Sequence, residues 1–131
     1  MRHAVLAVTA MVALAGAAAA DPAHGTWQTE VDDGAFAHVE LGPCADPAKV
    51  CGTIVRTYRD GGTPYESPNI GRQLVIDMAP QGGGDYEGSV WRPANDRVYI
   101  GRMEVSGDRL SLRGCVAGGL ICARQNWVRV E

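Results

Sequence analysis

The distribution of glycine constrains the fold of this chain more than any other feature. Seventeen glycines are spread along 131 residues, so that beyond residue 20 hardly any ten-residue window could hold an uninterrupted helix. Between the glycines lie short runs rich in β-branched and aromatic side chains, which are typical of strands. These runs predict eight strands, at about residues 25–31, 35–42, 50–58, 73–79, 85–92, 97–105, 109–116 and 120–130.

Short turn motifs separate most of these runs. They supply residues that adopt a positive φ at low cost: Asp33-Gly34, Gly82-Gly83-Gly84-Asp85, Pro93-Ala94-Asn95-Asp96, Ser106-Gly107-Asp108 and Gly118-Gly119. Connections this short join neighbouring antiparallel strands, so the second half of the chain is predicted to be a meander. One longer segment, from Arg59 to Gly71, predicts a surface loop across one end of the sheet.

The predicted strands have one apolar face each. In the seventh strand, Leu110, Leu112, Gly114 and Val116 alternate with Arg109, Ser111 and Arg113. Such alternation indicates that one face is buried. Eight antiparallel strands in meander order can remove their edges by closing on themselves. The sequence therefore predicts an all-β fold, a single small antiparallel up-and-down β-barrel of about eight strands, spanning residues 21–131.

The first twenty residues predict a cleaved signal peptide. Arg2 and His3 precede a run of apolar and small residues, and Ala18 and Ala20 match the small side chains that a signal peptidase accepts. We expect cleavage after Ala20 and a periplasmic or secreted protein. The apolar run is Ala-rich and short for a membrane span of ~20 strongly apolar residues, so no stable membrane insertion is expected.

The charge of the chain disfavours a nucleic-acid partner. Removing residues 1–20 takes away one arginine and no acid, which changes the formal net charge from −3 to −4. Proteins that bind nucleic acids usually carry a basic excess, which releases counterions from phosphate.

The four cysteines predict two disulfide bonds. Cys44, Cys51, Cys115 and Cys122 form two pairs with the same C-x6-C spacing, and an exported chain meets an oxidising compartment. Four cysteines allow three connectivities. We predict the local pairs Cys44–Cys51 and Cys115–Cys122, because each pair brackets turn-forming residues. A four-thiolate zinc site is the alternative, but its ligands usually come in C-x2–4-C motifs, so no metal is expected.

Short motifs are spread over almost the whole chain beyond residue 20: Gly25-Thr26-Trp27, Cys51-Gly52-Thr53-Ile54-Val55, Gly88-Ser89-Val90-Trp91-Arg92-Pro93, Tyr99, Leu112-Arg113-Gly114-Cys115 and Trp127-Val128-Arg129. In their order and spacing they resemble one bacterial family, the domain of unknown function 2147, a family of small exported proteins. The resemblance implies a lipocalin-type barrel and implies no reaction. One departure is Ala123-Arg124-Gln125, which stands where the family pattern leads us to expect Arg-Ser-Gln.

The start of the first strand is also similar to the G-x-W signature of lipocalins and avidins. In those proteins the tryptophan closes one end of the barrel, and an arginine from the last strand covers it. The resemblance assigns these structural roles to Trp27 and Arg129. A guanidinium over an indole face contributes roughly 0.5–2 kcal/mol, and its other donors can bind carbonyl groups of the chain ends.

No combination of residues indicates catalysis. His38 lies beside Glu40 on a predicted strand, where a solvated histidine is the commoner case. Asp32 and Asp33 lie in a turn and are interpreted as serving its backbone geometry. The glycines at 82–84 precede no helix that could bind phosphate, and Asp60-Gly61-Gly62 lacks the further acids of a calcium loop. We therefore predict a protein that is not an enzyme and has no cofactor.

Aromatic and arginine side chains give the remaining candidates for a site. Trp91 and Tyr99 flank the turn at residues 93–96 at nearly opposed positions, and both would line one end of the barrel if both pointed inward. The predicted ligand-binding residues are Tyr58, Trp91, Arg92 and Tyr99. Packing of an aromatic pair within the sheet is the alternative interpretation.

Two hypotheses of function follow. In the first, the barrel mouth binds a small, partly apolar molecule, as pockets with apolar walls and few polar groups do. Against it, a barrel this small can be filled by its own side chains. In the second, the domain is an envelope interaction module that binds another protein through its outer face or the loop at 59–71.

Overall fold

The computed structural model describes residues 21–131, so the predicted signal peptide at 1–20 lies outside the described residues. The described chain folds into eight strands. They are β1 (Gly25–Gln28), β2 (Ala35–Pro43), β3 (Val50–Arg59), β4 (Gln73–Gly82), β5 (Asp85–Arg92), β6 (Arg97–Ser106), β7 (Arg109–Val116) and β8 (Ile121–Arg129). One short 3-10 turn, Ala117–Gly119, joins β7 to β8. Each predicted strand is confirmed, although β1 ends three residues earlier than expected.

The eight strands form a closed barrel in which every strand pairs antiparallel with its neighbours along the chain. Closure occurs between β1 and β8, where Trp27 is the partner of Arg129 and Gln28 the partner of Val128. A closed barrel has no exposed strand edge that could pair with another chain. The predicted up-and-down barrel is therefore confirmed. Within residues 21–131, no helix is long and apolar enough to cross a membrane.

The connections divide between the two ends of the barrel, which differ in how they are closed. The plugged end comprises residues 21–24 and the connections at 44–49, 83–84 and 107–108. The open end comprises the connections at 29–34, 60–72, 93–96 and 117–120. The predicted long loop belongs to the open end and lies against β3, because the backbone of Tyr65 donates to Thr57 and that of Gly71 donates to Ile54.

Both predicted disulfide bonds are present, Cys44–Cys51 and Cys115–Cys122. The first joins the two sides of the connection from β2 to β3, at the plugged end. The second joins β7 to β8 beside the 3-10 turn, at the open end, where Cys115 and Cys122 are direct cross-strand partners. Each end of the barrel thus has one covalent link between adjacent strands.

Trp27 lies at the centre of the plugged end and is fully buried. Its indole Nε1 donates to the carbonyl of Ala23 at 2.9 Å. The guanidinium of Arg129 lies over the ring, with Cζ 4.3 Å from the ring centroid. A cation placed over an indole face is attracted by the quadrupole of the ring.

Arg129 also binds the segment that covers Trp27. Its guanidinium donates to the carbonyls of His24 at 2.6 Å and Pro22 at 2.7 Å. On its other side Arg129 pairs with Asp108 at 3.1 Å. One side chain therefore joins β8, the segment before β1 and the turn between β6 and β7.

Gly25 is required by this arrangement. Its φ is +138°, and a Cβ atom there would lie 2.5 Å from Nη1 of Arg129 and 2.7 Å from the carbonyl oxygen of Glu131. Any other residue would displace the guanidinium from its place. This contact explains why a glycine precedes the tryptophan by two positions.

A second buried contact holds the segment before β1. The hydroxyl of Tyr86 on β5 donates to the carboxylate of Asp21 at 2.5 Å, and that carboxylate also accepts from the backbone of Ala23. Burial of the phenol raises the pKa of Tyr86, and the hydrogen bond to Asp21 raises it further by a smaller amount. Tyr86 therefore stays protonated and able to donate across the ordinary pH range.

Replacing Trp27 with alanine should destabilise the protein strongly. Removal of a large buried aromatic side chain costs about 3–5 kcal/mol, and Arg129 would lose its ring partner. Urea unfolding of Trp27→Ala measures the loss from the shift in midpoint. Trp27→Phe, which keeps a ring but loses the hydrogen bond to Ala23, is the matched control and should lose clearly less. A Trp27→Ala protein within about 1 kcal/mol of the wild type would contradict the role of the plug.

Candidate functional site

A cavity of about 810 Å³ opens at the end of the barrel opposite Trp27. Its deeper wall includes the apolar side chains of Leu74, Val90, Leu112 and Trp127, all of which belong to the hydrophobic core. The interior of this barrel is therefore not filled by its own side chains at this end.

The cavity exists because two interior positions near the open end carry very small residues. Gly114 on β7 is the direct partner of Ala123 on β8, and both line the cavity. On the neighbouring strand Tyr99 is half-buried and packs beside Gly114, where a Cβ atom would lie 3.5 Å from that of Tyr99. Larger side chains at positions 114 and 123 would occupy the space.

Exposed apolar side chains form the rim of the cavity. Val31 is 48% exposed, Val116 45% and Ile121 64%, and all three line the cavity. Val116 and Ile121 are cross-strand partners on β7 and β8, whereas Val31 lies in the connection between β1 and β2. The entrance thus presents apolar side chains from the connection after β1 and from the β7–β8 pair.

A bidentate ion pair spans the mouth. Nε and Nη2 of Arg92 donate to the two carboxylate oxygens of Asp32 at 2.9 and 2.8 Å. Arg92 ends β5, whereas Asp32 lies between β1 and β2, and β5 stands opposite β1 in the ring of eight strands. Two parallel hydrogen bonds of this kind match a guanidinium to a carboxylate in both charge and shape.

The ion pair lies between the main cavity and a smaller one of about 180 Å³. Five residues line both cavities: Glu30, Asp32, Leu74, Pro93 and Gln125. The smaller cavity extends toward β2, β3 and the long loop, where Phe36, Thr57 and Tyr65 line it. The side chain of Asp32 therefore stands between two spaces at the open end.

The protonation of Asp32 is set by this contact. The hydrogen bond from Arg92 lowers the pKa of Asp32, and partial burial opposes that effect to a smaller extent. Because the folded-state pKa lies below the ordinary value, the pair stabilises the fold at every pH above that ordinary value. Its contribution is lost as the pH falls through the lower, folded-state pKa.

The predicted site residues are partly brought together. Arg92, Tyr99 and Trp91 line the main cavity. Trp91, however, is only 4% exposed, its Nε1 donates to Asp96 at 2.9 Å, and the guanidinium of Arg72 lies 3.7 Å from its ring centroid. Trp91 is therefore a packed part of the wall, covered by a residue of the long loop.

The structure places Tyr58 away from the other three. It stacks on Phe36 with a centroid separation of 4.9 Å and is not among the residues that line the main cavity. The physical reason is a β-bulge in β3: Val39 is the partner of Ile54, but His38 is the partner of Arg56. The extra residue reverses the alternation, so that Thr57 is buried instead of Tyr58.

Asp32 has the predicted place in a turn and, in addition, a side-chain contact that the sequence did not predict. Asp33, with a φ of +55°, and Gly34 do form the turn, and a backbone bridge between Asp32 and Ala35 encloses it. The carboxylate of Asp32, however, pairs with a residue sixty positions away. No local signal in the sequence marks that partner, since it follows from the register of the whole barrel.

The other residues considered in the sequence lie outside the cavity. His38 contacts Gln28 and Tyr58 on the outer face, and burial lowers the pKa of His38 with a contribution from Arg56. Between residues 21 and 131, the one cluster of possible metal ligands is Cys44, Cys51 and Asp77. Its two sulfur atoms are joined in a disulfide bond.

These features define a small disulfide-linked antiparallel barrel with one plugged end and one open end. A family model described as an uncharacterized protein conserved in bacteria (DUF2147) matches residues 25–129, and the chain belongs to this family. The match confirms the family that the motifs indicated. Neither the curated proteins nor the solved structures contain a match.

Removing the guanidinium should release the carboxylate of Asp32. In Arg92→Gln we expect the pKa of Asp32 to rise toward about 3.9, the ordinary value for aspartate. Carbon-detected NMR titration of the side-chain carboxyl group measures this value directly. Arg97→Gln is the matched control, because Arg97 is the cross-strand partner of Arg92 yet lines neither cavity. The same Asp32 pKa in wild type and Arg92→Gln would contradict the ion pair.

Proposed function

We propose that this protein is an exported, non-enzymatic binding protein that holds a small, partly apolar molecule in the cavity at the open end. The observation that carries the proposal is the cavity of about 810 Å³. Ligand sites in proteins commonly measure roughly 300–1,000 Å³. Export is supported by the two disulfide bonds, which persist in oxidising compartments.

The distribution of polar groups in the cavity suits such a ligand. The deep wall is apolar, and polar side chains gather at the entrance, where Arg92, Asp32 and Tyr99 lie. The hydroxyl of Tyr99 accepts a hydrogen bond from Asn95 at 2.6 Å and keeps its own proton to donate. A few placed polar groups at the mouth of an apolar space orient a ligand, while the apolar wall supplies most of its burial.

The architecture allows binding without a large loss of stability. The plug at Trp27 and the cavity lie at opposite ends of the barrel, so the residues that close one end are separate from those that would contact a ligand at the other. The disulfide bond Cys115–Cys122 fixes the two strands that carry Gly114 and Ala123. A rigid wall on this side lowers the ordering cost of binding.

Filling the cavity should weaken binding. Ala123→Phe places a ring in the cavity, and we expect it to lower the affinity for the neutral probe N-phenyl-1-naphthylamine by about tenfold or more, since the ring occupies the space the probe needs. Fluorescence titration measures the affinity. Val128→Phe is the matched control, because Val128 lies on the same strand, is 42% exposed and lines neither cavity. Equal probe binding by both variants would overturn the proposal.

The second candidate is an envelope interaction module that acts through the outer face or the long loop, and aromatic side chains on and beside that loop favour it. Phe36 stacks on Tyr58, and nearby the guanidinium of Arg59 lies 3.8 Å from the ring centroid of Tyr65 in the long loop. Native mass spectrometry of the protein isolated from its own host separates the candidates. A small co-purifying mass supports the binding protein, whereas a co-purifying protein supports the interaction module.

A further inference from the structure

The ion pair at the mouth is formed by a rigid residue and a residue of a small turn. Arg92 ends β5, and all eight residues of this strand, Asp85–Arg92, pair with β6 without a register shift. Asp32 instead belongs to a connection outside the named strands, and its own backbone is bridged to Ala35 within the turn. Within the described chain, the hydrogen bonds of the Asp32 carboxylate go to Arg92. The carboxylate can therefore leave without any strand pair being broken.

The guanidinium of Arg92 lies where the head group of a bound ligand would lie. Arg92 lines the main cavity together with Val90, two residues earlier on the same strand. Its charged group thus stands at the entrance, with apolar wall behind it. A molecule that places an apolar chain against that wall brings its own head group to Arg92.

We infer that the site takes an amphipathic monocarboxylate, whose carboxylate replaces that of Asp32 on Arg92 while its apolar part fills the main cavity. The inference rests on the proposed function and names the class of ligand. Asp32 already shows the geometry that Arg92 offers, because both of its oxygens accept from the guanidinium at 2.8–2.9 Å. A ligand carboxylate can form the same two hydrogen bonds.

The charges at the site favour a ligand with one negative charge over a ligand with two. Four charged side chains line the main cavity, Glu30, Asp32, Arg92 and Arg124, and their formal charges cancel. A monocarboxylate leaves the site with one net negative charge, whereas a doubly charged phosphate monoester leaves two. Like charges at such short range repel each other more strongly than in bulk water, so the site disfavours the dianion.

Displacement of Asp32 also changes the shape of the site. Asp32 is one of five residues that line both the main cavity and the smaller cavity, so its departure widens the passage between them. That passage leads toward the space beside Phe36 and Tyr65. The displaced Asp32 side chain, which is one-third exposed in the ion pair, then becomes fully exposed to water.

The test compares dodecanoate with dodecan-1-ol, which has the same chain length and no charge. Both are used below their aggregation limits to displace N-phenyl-1-naphthylamine from the full domain. We expect Arg92→Gln to lower the affinity for dodecanoate by about tenfold or more, because a hydrogen-bonded charge pair is lost. The affinity for dodecan-1-ol should change by less than about twofold. Asp32→Asn removes the carboxylate that competes for Arg92 and should raise the affinity for dodecanoate by about fivefold.

Arg97→Gln is the control for general charge and should leave both affinities as in the wild type. If Arg92→Gln does not fold, the Asp32→Asn variant decides alone, since it keeps the guanidinium. An unchanged affinity of Asp32→Asn for dodecanoate overturns the inference. Equal losses for the two ligands in Arg92→Gln overturn it as well, while leaving the proposed function intact. Failure of the wild type to bind either ligand or the probe overturns the proposed function itself.

Discussion

The other features of the barrel depend on the contact between Trp27 and Arg129. This contact lies where the ring of strands closes, and it also closes one end of the barrel. The two residues are cross-strand partners where the first strand meets the last, in the shortest strand pairing of the ring. Directly opposed residues in an antiparallel pair share a face of the sheet. The guanidinium therefore lies over the indole as a consequence of the pairing, and the same register that completes the ring also places the plug.

This arrangement separates stability from access. Trp27, Arg129 and the segment before β1 form a network at one end in which the guanidinium and indole donors bind backbone carbonyls. At the other end the long connections cover the barrel only partly, and the contacts across them include the partly exposed ion pair between Arg92 and Asp32. Exposed pairs contribute little to stability. A weak contact over a cavity is suited to being replaced, whereas the plug is not.

Much of the fold could be predicted from the sequence because its signals are local. The glycine-rich turns and the alternation in segments such as Leu110–Val116 fix strands of the right length, and the C-x6-C spacing gave the correct disulfide pairs. Less of the candidate site could be predicted from the sequence. The bulge after Ile54 turned Tyr58 outward, and the partner of Asp32 depends on the register of several strands. The cavity itself arises from the pairing of Gly114 with Ala123, which neither residue indicates alone.

One end of this barrel is sealed, and the other end has the cavity that we propose as a ligand site. Amide NMR spectra recorded while N-phenyl-1-naphthylamine is added to the labelled protein distinguish the two ends. We expect shifts at Val31, Val116 and Ile121, on the rim of the open end, with the amides of Ala23 and Trp27 unmoved. Shifts concentrated around Trp27, or on the outer face beside Tyr58, would contradict the proposed site.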